Sequence, residues 1–421
     1  MLRPFAKVEP GEALSALVLT LTVFSLLTAY YLLKTAREPL ILLEGGAEVK
    51  SYAAVGQSVL LIGIVRIYSV IARRVGRLKL LAIIYFFFVS NLVIFALLVR
   101  AKIHVGIIFF LWVGIFNVTA IAQFWSFAND VYTEEQGKRL FAIIGIGSSV
   151  GAVVGAKFAQ LLVPLGTSML MIVAAVILAG CVGLIAVVDK REGSPGKKKN
   201  DPHHDEPLVD ARTFQMLLHD KYLILIALLT LVLNCVNKTG EYMLDKALLA
   251  GAPAAHGPGA EAFIGAFKAD YFSWINLVGV LMQLFAVSRI LKYLGVRGAL
   301  FCLPAIALAG YTASFIAPVI AIVRLTKIAE NSFDYSIQST TNQTLYLVTN
   351  RSEKYVGKTI IDTFVVRFGD VVSAGFVGLG AKLALSTRQF AGINLVLIGV
   401  WAFMIFLIGK ENKKRSDEGK G

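Results

Sequence analysis

Long apolar segments separated by short polar ones follow one another along the whole chain. A transmembrane helix needs about 20 mostly apolar residues, and twelve segments meet that requirement. The predicted spans are residues 13–34, 51–71, 79–99, 103–127, 140–162, 166–188, 221–243, 271–290, 298–318, 319–346, 359–384 and 388–409. The tenth span is the least regular, since four charged residues interrupt it. The pattern predicts an all-α polytopic membrane protein with twelve transmembrane helices.

One longer polar stretch, residues 191–220, divides this pattern into two sets of six spans. We therefore expect a first half at 1–190, a cytoplasmic linker at 191–220, and a second half with a short basic tail at 221–421. Three short matches recur in the same order in both halves: Lys34-Thr35 with Lys238-Thr239, Gly76-Arg77 with Gly295 and Arg297, and Gly137-Lys138 with Gly357-Lys358. Two parallel, pseudo-repeated halves of six helices are typical of the major facilitator fold, whose substrate site lies near the membrane midplane.

The composition supports a membrane protein and argues against a soluble enzyme. Of the 421 residues, 57% are hydrophobic and 16% charged, and the mean hydropathy is +0.72. Soluble domains are about 45–50% apolar and about 25% charged. The three cysteines and five histidines show no metal-ligand spacing. We expect no enzymatic activity, no metal and no cofactor.

The net charge of +14 is explained mainly by membrane topology. With the N-terminus inside, 26 of the 41 Lys and Arg residues lie on the inner side, eight on the outer side and seven within spans. This distribution predicts a multi-pass protein of the bacterial inner membrane with both termini in the cytoplasm. Nucleic acid is therefore not an expected partner, whereas the lipid bilayer is.

Charged residues inside the spans are the candidates for binding chemistry. Each costs about 2.5–3.5 kcal/mol at the bilayer centre, so it normally faces a cavity or a partner. Lys34 and Lys157 have no acidic residue at helical spacing in their own spans. Several converging cations favour an anionic ligand with phosphate groups. The predicted substrate-binding cations are Lys34, Lys157, Lys238, Arg324 and Lys327, with Arg37 at the outer mouth.

Other charged residues have a partner of opposite charge one helical turn away. These couples are Lys238 with Glu241, Lys327 with Glu330, and Arg367 with Asp370. Structural salt bridges and gate latches are both open interpretations of such pairs. The predicted gating or coupling residues are Glu241, Glu330, Asp334, Asp362, Arg367 and Asp370.

Three glycines in the fifth span, Gly147, Gly151 and Gly155, are spaced by four residues. No strand precedes them, so the run is not a phosphate-binding loop. Small residues at this spacing allow two helices to approach closely. We expect these glycines to serve helix packing.

Four segments resemble signatures of the ATP/ADP antiporters of intracellular bacteria and plastids. Lys34-Thr35-Ala36-Arg37-Glu38 resembles that family's basic-Asp-Thr-Lys-Asp motif, and Phe124-Trp125-Ser126-Phe127-Ala128-Asn129-Asp130 is similar to its Phe-Trp-Gly-Phe-Ala-Asn-Gln. Lys138-Arg139-Leu140-Phe141 follows in order, and residues 354–362 resemble its Lys-x-x-Gly-Lys-x-x-Ile-Asp. The resemblance covers most of the chain.

The resemblance implies a nucleotide exchanger with basic residues at the end of span one and before span eleven, and glutamates in spans four and seven. Arg37 and Lys358 stand at the two basic positions. Span four has no acid between Leu111 and Gln123, and Glu241 is offset from the expected place in span seven. These departures leave another phosphorylated anion open as the substrate.

We therefore expect a monomeric secondary transporter that exchanges nucleotides, ATP for ADP, or a related phosphorylated anion by alternating access. One alternative is a proton-coupled major facilitator carrier of an organic anion or drug, which would use a carboxylate among Glu241, Glu330 and Asp334. The other is a membrane receptor or scaffold that transports nothing.

Overall fold

The computed structural model describes residues 12–72, 75, 77–192, 220–253, 258–349 and 357–418. This part of the chain is almost entirely helical and contains no strand, which confirms the all-α prediction. The helices are α1 (Glu12–Ala72), α2 (Arg77–Arg100), α3 (Gly106–Val131), α4 (Glu134–Leu162), α5 (Thr167–Glu192), α6 (Lys221–Ala250), α7 (Pro258–Phe285), α8 (Val287–Ile316), α9 (Ile320–Phe333), α10 (Ser339–Leu345), α11 (Lys358–Ile360), α12 (Val366–Lys382) and α13 (Thr387–Glu418). Turns of π-helix at Asp334–Gln338 and Ile361–Val365 join α9 to α10 and α11 to α12.

Helix α1 contains the first two predicted spans in one run of 61 residues. Gly46 interrupts this run with φ 75° and ψ −177°, a conformation that glycine adopts without a steric penalty. Pro39 lies within the first part of the helix. Because proline has no N–H, the carbonyl of Thr35 lacks its usual donor four residues on. The break in helical geometry at Gly46 lies between the two predicted spans, 13–34 and 51–71.

Nine helices in the described ranges are long and apolar enough to cross a membrane. Helix α1 counts once although it contains two predicted spans, and α9 has only 14 residues. Large apolar side chains also face outward, for example Phe86 at 73% exposure and Leu161 at 75%. These features confirm a multi-pass membrane protein. The number of twelve spans stays a prediction.

The described chain forms two compact units. Unit 1 contains residues 12–192 and the described part of 252–276, and unit 2 contains 220–251 and 277–418. The first part of α7 therefore belongs to unit 1. The halves at 1–190 and 221–421 stay a prediction, and the linker at 191–220 lies outside the described residues except for its ends.

In unit 1, α1 packs against α3, α4 and α5. The glycines of α4 lie directly on the α1 backbone. A Cβ atom would lie 2.6 Å from the Thr20 carbonyl oxygen at Gly147, 2.4 Å from the Phe24 carbonyl oxygen at Gly151, and 2.7 Å from the Thr28 Cα at Gly155. Such distances leave no room for a side chain, so glycine sets the spacing of the two helices.

In unit 2, α6 packs against α12 and α13. Asn234 of α6 lies on Gly369, where a Cβ would be 2.8 Å from its side-chain nitrogen. The Asn234 amide donates to the Val366 carbonyl at 2.7 Å, and the Thr239 hydroxyl donates to Asn394 Oδ1 at 2.6 Å. Polar contacts between buried helix faces thus fix the packing of this unit.

Candidate functional site

Three basic side chains of unit 1 converge on the buried carboxylate of Glu38. Arg37 Nε lies 3.1 Å from Glu38 Oε1, and the Nζ atoms of Lys50 and Lys268 lie 2.6 Å and 3.3 Å from Oε2. The Glu38 side chain is 1% exposed. Burying a carboxylate is costly unless cations compensate it. The three basic side chains thus compensate the buried charge of Glu38.

The Glu38 cluster, as it is called here, consists of Arg37, Glu38, Lys50 and Lys268. Its members come from three separate segments of the chain. Arg37 and Glu38 lie on α1 before the kink at Gly46, and Lys50 lies beyond it. Lys268 lies on α7 and is 4% exposed. The Arg37 guanidinium also lies 4.6 Å from the centre of the Phe110 ring, on α3. The cluster thus joins α1, α3 and α7 in unit 1.

Lys34 lies one helical turn before the cluster and is surrounded by aromatic rings. Its Nζ atom is 4.3 Å from the centre of the Phe272 ring, 5.2 Å from that of Tyr31 and 6.0 Å from that of Tyr30. Such cation–π contacts are worth about 0.5–2 kcal/mol. The Tyr31 hydroxyl donates to Asn276 Oδ1 at 2.8 Å, which fixes that ring. A cation and flat aromatic faces therefore lie side by side.

Lys157 contacts an acid on another helix. Its Nζ lies 2.9 Å from Gln160 Oε1 on α4 and 3.5 Å from Asp270 Oδ1 on α7. The Lys157 side chain is 58% exposed, so this ion pair is weak. Lys157 is thus accessible, and its acidic neighbour could not be found from helical spacing on its own span.

The remaining predicted residues lie in unit 2, and Lys327 is the most buried of them. Its Nζ lies 2.9 Å from Glu330 Oε2, 3.1 Å from the Asn237 carbonyl oxygen and 3.2 Å from Asn237 Oδ1. The Tyr311 hydroxyl donates to Glu330 at 2.9 Å. An ammonium group has three N–H donors. All three are used by acceptors of the protein in this conformation.

Asp370 forms the second ionic group of unit 2. Arg367 Nη1 lies 3.3 Å from Asp370 Oδ2, one turn apart on α12. Lys238 of α6 lies 3.7 Å from Asp370 Oδ1, and the Asn234 amide donates to the same oxygen at 3.3 Å. The structure thus brings Lys238 to an acid on a neighbouring helix, and its predicted pairing with Glu241 in its own helix stays a prediction. This group joins α6 and α12.

The other predicted positions are dispersed through unit 2. Lys358 donates to Gln343 Oε1 at 2.6 Å. Arg324 and Glu241 are half-buried on α9 and α6. Asp334 and Asp362 lie in the two π-helical turns, a geometry that occurs often at functional sites.

The sequence pattern did not identify Lys50, Lys268, Glu38 and Asp270 as partners of the predicted cations. Lys268 and Asp270 precede the predicted eighth span, which begins at residue 271, whereas α7 begins at Pro258. Lys50 lies between the first two predicted spans and was therefore assigned to the outer side of the membrane. The one available signal is the pair Arg37 and Glu38, a cation beside an acid just after the first predicted span.

Solved structures share the fold of this chain. The nucleoside transporter NupG matches with a TM-score of 0.64, 11% identity, and coverage of 94% of this chain and 98% of that one. A bacterial homologue of the iron transporter ferroportin matches with a TM-score of 0.66 and 10% identity over 94% of this chain and 98% of that one. The fold is therefore that of the major facilitator transporters.

The model of the TLC ATP/ADP transporter family matches residues 103–313, half of the chain. The chain belongs to this family, which confirms the resemblance found in the sequence and the expectation that it is not an enzyme.

Two curated relatives of known name are similar over most of this chain. "ADP,ATP carrier protein 1" of Chlamydia pneumoniae is 23% identical over 332 residues, which are 68% of this chain and 63% of that protein. "ADP,ATP carrier protein 4" of Rickettsia bellii is 23% identical over 358 residues, 71% of this chain and 65% of that protein. The chain thus spans less than two thirds of the length of these relatives.

Proposed function

We propose that the protein exchanges nucleotides across a bacterial inner membrane, ATP for ADP or a related phosphorylated anion, by alternating access. The observation that supports this most is the position of Lys34, among three aromatic rings and one turn from the Glu38 cluster. A nucleotide has a polyanionic phosphate chain and a flat base. Converging cations can bind the phosphate chain, and aromatic rings can stack on the base.

In this proposal, Arg37 and Lys268 bind phosphate oxygens together with Lys34. Arginine presents a planar fork that matches phosphate geometry, and lysine acts as a point charge. Glu38 holds Arg37 and Lys268 in place when no nucleotide is bound. A polyanionic phosphate chain is attracted to converging basic side chains, so the substrate-bound state is favoured by electrostatics. Lys157, being accessible in the same unit, is a further candidate contact.

Exchange suits such a site better than one-way transport. A cationic site inside a membrane is costly when it is empty, since each uncompensated charge resists desolvation. Loading a second nucleotide before the site reorients removes that cost. We propose that movement of the predicted halves, 1–190 and 221–421, exposes the site alternately to the two sides, with both termini in the cytoplasm and the monomer as the active unit.

The proton-coupled alternative needs a membrane carboxylate that gains and loses a proton. Glu330 is paired with Lys327 at 2.9 Å and accepts a hydrogen bond from Tyr311. This arrangement favours a structural role for Glu330, so a proton-coupled carrier would have to use Glu241 or Asp334.

Binding of ATP to the purified protein tests the site independently of transport. We expect Lys34→Ala to weaken ATP binding by tenfold or more, because it removes both a phosphate contact and the cation that holds the aromatic rings. Lys382→Ala, an exposed lysine at the end of α12, is the control and should bind ATP like the wild type. Isothermal titration with ATP and with inorganic phosphate gives the affinities. Equal affinities of all three proteins for ATP would contradict this assignment.

A further inference from the structure

A small cavity in unit 1 lies beside α1, α5 and α7, separate from the residues of the Glu38 cluster. Its lining combines polar and apolar side chains, among them Thr35, Pro39, Val163, Thr167, Leu170 and Glu261. Thr35 and Pro39 belong to α1, Thr167 begins α5, and Glu261 lies in the first turn of α7. Three helices therefore contribute to the lining of one small cavity.

Two hydroxyl groups in this lining lack a hydrogen-bond partner among the described residues. The Oγ1 atoms of Thr35 and Thr167 are both buried, in residues that are 0% and 6% exposed. Other threonines of α1 behave differently. The hydroxyls of Thr20, Thr22 and Thr28 donate to the carbonyl four residues earlier at 2.7–2.8 Å. A buried polar group without a partner is costly, so two such hydroxyls in one cavity lining favour a small bound species, a water molecule or an ion.

Two further oxygen groups that can coordinate a cation belong to residues of the same lining. The Glu261 carboxylate accepts a hydrogen bond from the Thr167 N–H at 3.0 Å through Oε1. A carboxylate has further lone pairs that can coordinate a cation. The Thr35 carbonyl lacks its usual helical donor, because the residue four positions on is Pro39. The candidate ligands of a cation are thus the hydroxyls of Thr35 and Thr167, the Thr35 carbonyl and the Glu261 carboxylate. All of them are oxygens, and together they carry one formal negative charge.

We propose that this cavity binds a sodium ion. Hard cations prefer oxygen ligands such as carboxylates, carbonyls and hydroxyls. A single carboxylate matches a monovalent cation in charge, and it repels an anion. A water molecule would also pair with the hydroxyls, but it would bring no positive charge to the Glu261 carboxylate. The bound ion would hold α1, α5 and α7 together next to the segment of α1 that carries Lys34 and Arg37.

Direct binding of ²²Na⁺ to the purified full chain tests this proposal, and its outcome does not depend on nucleotide transport. In choline chloride buffer we expect saturable binding of about one ion per chain, displaced by unlabelled Na⁺. Thr35→Val and Glu261→Gln should each weaken binding tenfold or more. Thr22→Val is the matched control, since Thr22 is a buried threonine of the same helix whose hydroxyl already has a partner. It should bind Na⁺ like the wild type.

If a variant fails to fold, the thermal unfolding temperature of the wild type still tests whether the protein binds Na⁺. A ligand that binds only the native state raises its stability by mass action. NaCl should therefore raise Tm relative to choline chloride of equal ionic strength. Absence of saturable ²²Na⁺ binding with an equal Tm in both salts would overturn the proposal and leave water as the occupant. Unchanged binding in Thr35→Val and Glu261→Gln would overturn it too, since the ion would then bind elsewhere.

Discussion

Buried charges in this chain are compensated in two different ways, and the difference decides which side chains are available to a ligand. Lys327 is surrounded by acceptors that use all of its N–H groups. Glu38 is instead surrounded by three cations, which share one carboxylate. The first arrangement is complete without a ligand. The second brings three basic side chains together next to Lys34, so we propose that the phosphates of the substrate bind at the Glu38 cluster and not at Lys327.

A pair of variants tests the structural role of Lys327. Lys327→Met leaves the buried Glu330 carboxylate without its cation, which typically costs about 3–5 kcal/mol. We expect a large loss of thermal stability in detergent. The double variant Lys327→Met/Glu330→Gln removes both charges and should recover much of that loss. It should also bind ATP like the wild type. Loss of ATP binding by a folded double variant would mean that Lys327 contacts the substrate.

Asp220 gives a prediction for the dependence of stability on pH. It caps α6 by accepting the N–H groups of Tyr222 and Leu223, and it lies 2.7 Å from Arg415 Nη2. Burial alone would raise the pKa of Asp220, but the Arg415 guanidinium and the backbone N–H groups outweigh it and hold the pKa below its ordinary value. The folded state thus favours the carboxylate. The resulting stability is present above the unfolded pKa of about 3.9 and is lost as the pH falls through the lower folded value.

Asp220→Asn isolates this charge, since asparagine caps helices about as well as aspartate. At neutral pH the variant should unfold at a lower temperature than the wild type. The difference in Tm should shrink below about pH 4, where the aspartate of the unfolded chain becomes protonated. Arg415→Gln should produce the same trend. A difference in Tm that stays constant down to pH 3 would contradict the role of the charge.

At the scale of elements, the packing of α4 against α1 depends on glycine at three positions. A Cβ at Gly151 would lie 2.4 Å from the Phe24 carbonyl oxygen, a backbone atom that moves only if the helices separate. At Gly145 of the same helix, by contrast, a Cβ would meet nothing within 4 Å. Gly145 and Gly151 therefore lie on the same helix, but only Gly145 has room for a side chain.

Alanine substitutions at these sites should have opposite effects. Gly151→Ala should destabilise the protein by about 1–3 kcal/mol, as overpacking of a tight interface does. Gly145→Ala should be neutral or stabilising by about 0.5–1 kcal/mol, since alanine favours a helix over glycine. Thermal unfolding of both variants in the same detergent measures the difference. Equal Tm values would show that α1 and α4 are not held by this contact.

The apolar pattern predicted an all-α, multi-pass membrane protein, but it could not predict which charges meet. The apolar runs and the i, i+3 spacing of Lys327 with Glu330 and of Arg367 with Asp370 are local features. Lys238 meets Asp370, and Lys268 meets Glu38, only because distant helices pack together. Helix α7 starts at Pro258, well before the predicted span that begins at residue 271, so Lys268 and Asp270 fell outside the predicted spans. Tertiary contacts of this kind leave no periodic trace in one sequence.

At the scale of the whole molecule, the chain combines a major facilitator fold, membership of the TLC ATP/ADP transporter family, and a cationic, aromatic-lined site in unit 1. We propose that these features serve obligatory exchange: a nucleotide leaves only when another one binds. The most direct test is uptake of radiolabelled ATP into proteoliposomes that contain the purified full chain, with and without ADP inside. We predict that internal ADP accelerates uptake severalfold, and that empty vesicles and a pH gradient alone support almost none. Uptake at the same rate into empty vesicles, or no uptake of any nucleotide, would contradict exchange as the function of this protein.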